Sequence, residues 1–333
     1  MKKILALIVL SIAMVSCYEE YLLDYPYTAI YFPFQQDVRS FVVGEGMKFD
    51  VGVALGGVRQ NTVDRNVQFH LDASLIDSAR LVALKYSSWG YINSAAKNVD
   101  TLKLLPLSYY EMTPSTTTMV IKAGWHNGVV TIKADSVNFL NDSLKTIMST
   151  YALPFRIDDA DADSILPAKR TNVVGTMFVN KLFGNYWHGG AAVVNRPLLS
   201  DTTIVYQTTV PVPENKIWSM TTVGPRTLTC NGYFNVTTAA GKKMINVVLQ
   251  GNNVYLSPGA DFPAATYTFA QEGACTFNNA KLLQNRKIMI KYSLTQLADP
   301  FYVYHCTDTL TFRNRIRDGV NEWQDENPAH NTK

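Results

Sequence analysis

Asp158, Asp159, Asp161 and Asp163 form the densest run of charge in the chain. Alternating carboxylates can gather the oxygen ligands that calcium takes. An EF-hand loop needs Gly after its third Asp and a bidentate Glu further on. Ser164 stands where the Gly would be, and the Glu is missing, so no metal ligands are assigned. Glycosidic hydrolysis needs two carboxylates about 5–9 Å apart across the bond. The second half, residues 176–333, holds only 10 acidic residues, several of them in its terminal tail. There is no Gly-x-Ser-x-Gly elbow, and the 5 His are scattered singly, none at metal-ligand spacing. No catalytic residue and no cofactor are assigned, and the expectation is a protein that is not an enzyme.

The aromatic residues offer a different chemistry. A sugar ring presents an apolar face that stacks on an aromatic side chain, while amides and carboxylates take its hydroxyls. The candidates are Trp187 with Tyr186 and His188, Trp218, and Trp89 with Tyr91. Gly189-Gly190 would let a ligand approach the backbone closely. Two readings stay open for each. Trp187 and Trp218 suit core packing as well as binding, and the loop around Trp89 can fold its aromatics onto its own domain.

One cysteine has chemistry of another kind. Lys2 and Lys3 precede an apolar run from Ile4 to Val15, then small Ser16 and Cys17. This layout is a secretory signal peptide, too short to span a bilayer. It resembles the bacterial lipoprotein box, with Met14 where that box usually has Leu. The resemblance implies lipidation of Cys17 after removal of residues 1–16, and a tether over 17–26. Glu19 and Glu20 resemble the surface-export signal of Bacteroidetes lipoproteins, which implies an outer-membrane protein facing the cell exterior.

The elements that must carry these residues read as strands. Of 333 residues, 18 are Tyr and 15 Phe, which favours β-structure. The length favours two domains. Lys48 to Leu55 and Val67 to Leu71 alternate polar with apolar residues, with turn signals at short spacing, as in a sandwich or barrel. Similar runs recur at Val129 to Ile132, Ile217 to Met220, Met244 to Leu249 and Lys287 to Leu294. The clearest helical piece lies near Leu140 to Met148, and Lys85 to Asn98 reads as a loop. The tail beyond Gly319 is polar and is expected to fray.

Charge excludes one partner class. Residues 18–175 carry 14 basic and 17 acidic side chains, and residues 176–333 carry 14 and 10. Neither half is strongly basic, so nucleic acid is not an expected partner. Cys230, Cys275 and Cys306 have no Cys-x-x-Cys spacing. They are buried free thiols or one disulfide plus a thiol, with all three pairings open.

Six segments in order carry a family resemblance. They are Ile30-Tyr31-Phe32, Val53 to Gly57 followed by Asn61, Val67-Gln68-Phe69, Leu105 to Tyr110, Lys122-Ala123-Gly124, and Tyr151 to Ala160 with Ser164 to Leu166 and Lys169. Together they resemble the N-terminal domain of unknown function 1735 of Bacteroidetes surface lipoproteins. The C-terminal half resembles, more weakly, the domain of unknown function 4361. The resemblance implies an immunoglobulin-like β-sandwich over 27–175, followed by a second antiparallel β-domain, sandwich or small barrel, over 176–320, with a polar tail at 321–333. It also implies a non-catalytic glycan-binding role in an uptake system, alongside other outer-membrane proteins. The alternative is a structural or protein-interaction subunit of a surface assembly.

Overall fold

A computed structural model of the chain describes residues 27–207 and 215–325. Residues 1–26, which hold the expected signal peptide, Cys17 and tether, and residues 326–333 lie outside the described residues. The fold is all-β, in two domains with separate cores.

The first domain is a sandwich. One sheet contains Ala29–Tyr31, Lys48–Gly56, Asn127–Ala134 and Tyr110–Thr113, and the other contains Gln36–Val43, Thr171–Asn180, Tyr151–Ala160, Arg65–Leu71 and Thr118–Ile121. Phe41, Phe49, Phe69, Phe139, Phe155 and Phe178 fill the space between them. Lys48–Gly56 alternates because one of its faces meets water. Tyr151–Ala160 and Thr171–Asn180 read as nearly continuous apolar runs because both of their faces are covered. Two helices, Ser78–Lys85 and Gly90–Ala96, form the second cover: Leu81, Leu84, Ile92, Ala95 and Ala96 pack on Val38, Ala152 and Val173. Asp77 caps the first helix by accepting from the Arg80 amide at 2.7 Å.

These helices correct the expectation of a loop over Lys85 to Asn98. Gly90, Asn93 and Ser94 are poor helix formers, but Ile92, Ala95 and Ala96 recur at three- and four-residue spacing and give the segment a face to bury. The expected helical piece near Leu140 to Met148 is present as Ser136–Asn141 and Ser143–Thr146. The strand Thr171–Asn180 runs through the expected boundary at 175/176, so the domains meet at Lys181 to Phe183.

The second domain is a closed barrel. Strands Gly184–Asn195, Lys216–Thr222, Thr227–Cys230, Ile245–Gln250, Asn253–Pro258, Cys275–Phe277, Lys287–Gln296 and Val303–Arg317 pair in that order. Gly184–Asn195 then pairs with Val303–Arg317 from Asn185 to Asn195, which closes the ring. Eight strands leave an interior just wide enough for side chains, and Tyr186, Trp218, Leu228, Ile288, Tyr292 and Leu310 fill it. Cys230, Cys275 and Cys306 are buried free thiols.

An ionic cluster joins the domains. Glu45, in the Gly44-Glu45-Gly46 turn of the sandwich, bonds Arg286 at 2.7 Å and Arg315 at 2.9 Å from the barrel. Glu322 pairs with Arg315 and Arg317. Ser40 donates its hydroxyl to Asp318 at 2.8 Å. Burial works to raise the Glu45 carboxyl, but Arg315 and Arg286 outweigh it and hold its pKa below the ordinary value. The expected fraying tail is partly ordered: Val320–Glu322 is a strand paired with Arg315–Arg317, and Asp325 accepts from the Leu283 amide at 2.8 Å.

Candidate functional site

A groove of about 390 Å³ opens where the two domains meet. Tyr91, Ser94 and Ala95 of the helix Gly90–Ala96, Met148 and Met177, and Ile316, Arg317 and Asp318 of the barrel hairpin line it. Its size falls in the range of small-ligand sites. Trp89 precedes Gly90, which lines the groove, and is 58% exposed. The Trp89 and Tyr91 rings lie 6.4 Å apart at 63°. The Tyr91 hydroxyl donates to Asp37 at 2.8 Å, which fixes the ring. Burial, then the neighbouring Asp37 carboxylate, push the Tyr91 phenol well above its ordinary pKa. At neutral pH the Tyr91 phenol therefore keeps its proton, and Ser40, Asp318 and Arg317, bonded to one another, line the groove with it and with Ser94.

The other aromatic candidates are placed differently. Trp218 and Tyr186 are register partners on adjacent strands and both are 0% exposed in the barrel core. Neither can meet a sugar face, so their assignment as ligand-binding residues is corrected to core. Trp187 points to the opposite face of its strand, half-buried, with the Arg313 guanidinium 4.9 Å over its ring. The structure thus gathers Trp89 and Tyr91 into one place and separates them from the other three. The acidic run has partners from the protein: Asp161 accepts from the Asn66 amide, and Asp163 from the Thr28 amide and hydroxyl. Among the described residues no group of three His, Cys, Asp or Glu side chains is arranged to hold a metal.

Sequence reasoning missed a polar cluster inside the barrel. Asp308 is 1% exposed and accepts from Tyr206 at 2.6 Å and from Tyr292 at 2.9 Å. His188 stacks between Trp218, at 3.9 Å and 10°, and Tyr206, at 5.2 Å and 21°. Its Nε2 stands 3.2 Å from Asp308 Oδ2. A signal was present: Asp308 shares the inward phase of its strand with Cys306 and Leu310, where a carboxylate is out of place.

Comparison with known proteins places the first domain. A family model for an N-terminal domain matches residues 25–164. A crystal structure of a Bacteroides ovatus protein of unknown function aligns with a TM-score of 0.59 at 17% identity, over 90% of this chain and 98% of that one. A second B. ovatus structure, of a multidomain protein including domain of unknown function 1735, aligns with a TM-score of 0.40 at 13% identity, over 89% of this chain and 100% of that one. No curated protein matches the sequence. The B. ovatus protein with the higher score shares the fold across both domains.

Proposed function

We propose, for a chain whose residues 25–164 match a family model for an N-terminal domain, a non-catalytic role in binding glycans at the cell surface. The observation that carries this reading is Trp89, exposed next to Gly90 of an interdomain groove, with its ring 6.4 Å from that of Tyr91, which lines the groove. The apolar face of a sugar ring is a matching cover for an exposed indole. The groove supplies hydroxyl and carboxylate partners from both domains, so its shape depends on their fixed arrangement.

A glycan array probed with the soluble form, residues 18–333, tests the reading. Binding to one glycan class is expected, weakened about tenfold or more by Trp89→Ala, equivalent to at least about 1.4 kcal/mol. Trp187→Ala is expected to bind as the parent does. Silence across plant and host glycans, or binding indifferent to Trp89→Ala, rejects it.

The proposed location is the outer membrane, with the protein lipid-anchored through Cys17 and facing outward. Among the described residues no helix is long and apolar enough to cross a membrane. Two or three acyl chains make attachment effectively permanent, since a single chain binds only marginally. Protease added to intact cells should remove the protein, and Cys17→Ala should release it from the membrane fraction. Full protection from protease counts against the outward orientation.

One observation favours the role of interaction subunit. Val193, Leu198, Leu199 and Val205 are exposed together on the hairpin of Gly184–Asn195 and Thr202–Gln207. Several large apolar side chains exposed on one hairpin are the kind of surface that protein contacts use. Cross-linking on cells that captures a neighbour through Val205→Cys supports this second role, and its absence leaves the groove as the sole binding surface.

A further inference from the structure

One sheet of the sandwich keeps an open edge beside a buried amide that has no partner. Ala29–Tyr31 pairs with Lys48–Gly56 only from Ala54 to Gly56, with Tyr31 opposite Ala54. Continued in that register, Pro33 falls opposite Gly52. Proline has no N–H to give to a ladder, and the chain leaves here to join the other sheet as Gln36–Val43. Among the described residues no strand takes its place: Lys48 to Val53 pair with Asn127–Ala134 alone, on their other side.

The ladder decides which backbone groups face the gap. The Leu55 amide donates to the His126 carbonyl at 2.8 Å. Leu55, Val53 and Val51 therefore turn their N–H and C=O toward Asn127–Ala134, and Ala54, Gly52 and Asp50 turn theirs the other way. The Ala54 groups meet Tyr31. Those of Gly52 and Asp50 have no strand to meet. Proteins commonly blunt such edges. The edge of Gln36–Val43 is blunted, because the Val38 amide donates to Asp37 at 2.8 Å and the Ser40 amide to Asp318 at 3.2 Å. The edge at Gly52 has no such cap, and the Asp50 carboxylate is turned to the Thr131 hydroxyl of its own sheet at 2.7 Å.

The gap is also a pocket. A cavity of about 190 Å³ is lined by Gly52, Val51 and Val53 of this sheet and by Asn172 and Val174 of the other. Asn172 is 5% exposed, and its Oδ1 accepts no hydrogen bond. Buried acceptors in that condition are few in folded proteins. Gly52 is a glycine because a Cβ there would stand 2.8 Å from Val129 Cγ1 and 2.9 Å from the Gly128 carbonyl oxygen. Val129, beside it, is 43% exposed.

We propose that this slot takes an extended peptide segment of a partner protein, which adds as an antiparallel strand along Asp50 to Val53. The edge offers one N–H and one C=O on every second residue, and another extended backbone carries their complements at that spacing. The added residue opposite Gly52 lies on the outer face, where an aromatic side chain fills the space over the glycine and covers Val129. Its neighbours turn inward, where a hydroxyl or amide side chain donates to Asn172 Oδ1 beside Val51, Val53 and Val174. The open stretch ends at the Pro33-Phe34 crossing, which lines the same pocket, so the slot admits a single free segment rather than the edge of a second folded copy.

An array of capped pentapeptides tests this on residues 18–333. Each peptide has Phe, Tyr or Trp at its centre and Ser, Thr, Asn or Gln on both sides. At least one should bind and slow hydrogen exchange of the Gly52 amide about tenfold or more, read by NMR. N-methylation of its central residue removes the donor to the Gly52 carbonyl and should weaken binding about tenfold or more. N-methylation of the next residue, whose N–H points away, should be tolerated. Asn172→Leu should weaken binding about fivefold or more without lowering the melting temperature. If that variant fails to fold, the two N-methylated peptides decide. Silence across the array, or equal binding of both N-methylated peptides, overturns the proposal. So does binding abolished by Trp89→Ala, which moves the peptide to the groove. Gly52 protection that grows with protein concentration alone assigns the slot to a second copy and overturns it as well.

Discussion

Tyr186, Trp187 and His188 are consecutive, yet they have opposite fates. Tyr186 and His188 enter the barrel, while Trp187 lies outside under Arg313. Strand alternation requires that split and was legible from the sequence. Which face is the inside was not legible, because it is set by strands far away in the chain. Trp218 shows the same limit: its type was read correctly and its face was not. Glu45 makes a residue-scale prediction. It bridges Arg286 and Arg315, each only 4% exposed. Glu45→Gln leaves two buried guanidinium groups without their shared counter-charge and should cost about 3 kcal/mol in urea unfolding. The pH dependence follows from the lowered pKa of Glu45. The folded carboxyl holds its proton less tightly than the unfolded one, so its contribution is full above 4.5 and is lost as pH falls through the folded value. Asp318, raised by burial, opposes this in part. Stability should decline below pH 4.5, and the decline should be shallower in Glu45→Gln.

At the scale of elements, sequence patterns were readable where one face of a strand meets water and ambiguous where both are covered. Lys48–Gly56 is of the first kind; Thr171–Asn180 is of the second. The helix Gly90–Ala96 was hidden by its Gly, Asn and Ser content, although its apolar spacing was present. Ile92 is fully buried beneath that helix, and Ile92→Ala should destabilise the protein by about 2–4 kcal/mol. The turn at Gly319 sets the other wall of the groove. Its φ is +80, and a Cβ there would come within 2.9 Å of the Tyr91 ring. Gly319→Ala should therefore cost more than about 1 kcal/mol and shift Trp89 fluorescence, since Tyr91 must move. An unchanged spectrum and melting temperature would separate that turn from the groove.

At the scale of the whole molecule, the sandwich was legible through six ordered segments, but barrel and sandwich stayed equal for the second domain. Closure depends on one long pairing, from Asn185–Asn314 to Asn195–Val303, between strands more than 100 residues apart, which leaves no local pattern. The short junction at Lys181 to Phe183 and the Glu45, Arg286 and Arg315 cluster predict that the domains unfold together. Calorimetry should show one transition for the parent. Arg315→Ala, which removes the central guanidinium, should split it into two.

The barrel also has a direction in time. Its first strand, Gly184–Asn195, pairs with a strand near the end of the described chain, Val303–Arg317. A chain made from its N-terminus can finish the sandwich once Thr171–Asn180 has emerged, since the partners Gln36–Val43 and Tyr151–Ala160 are already made. The barrel has no such early completion. Until Val303–Arg317 arrives, Gly184–Asn195 and Lys287–Gln296 each keep an open edge, and the inward-facing aromatics have no closed interior to fill. A product that ends between Asn180 and Val303 therefore carries a finished first domain and an adhesive second one.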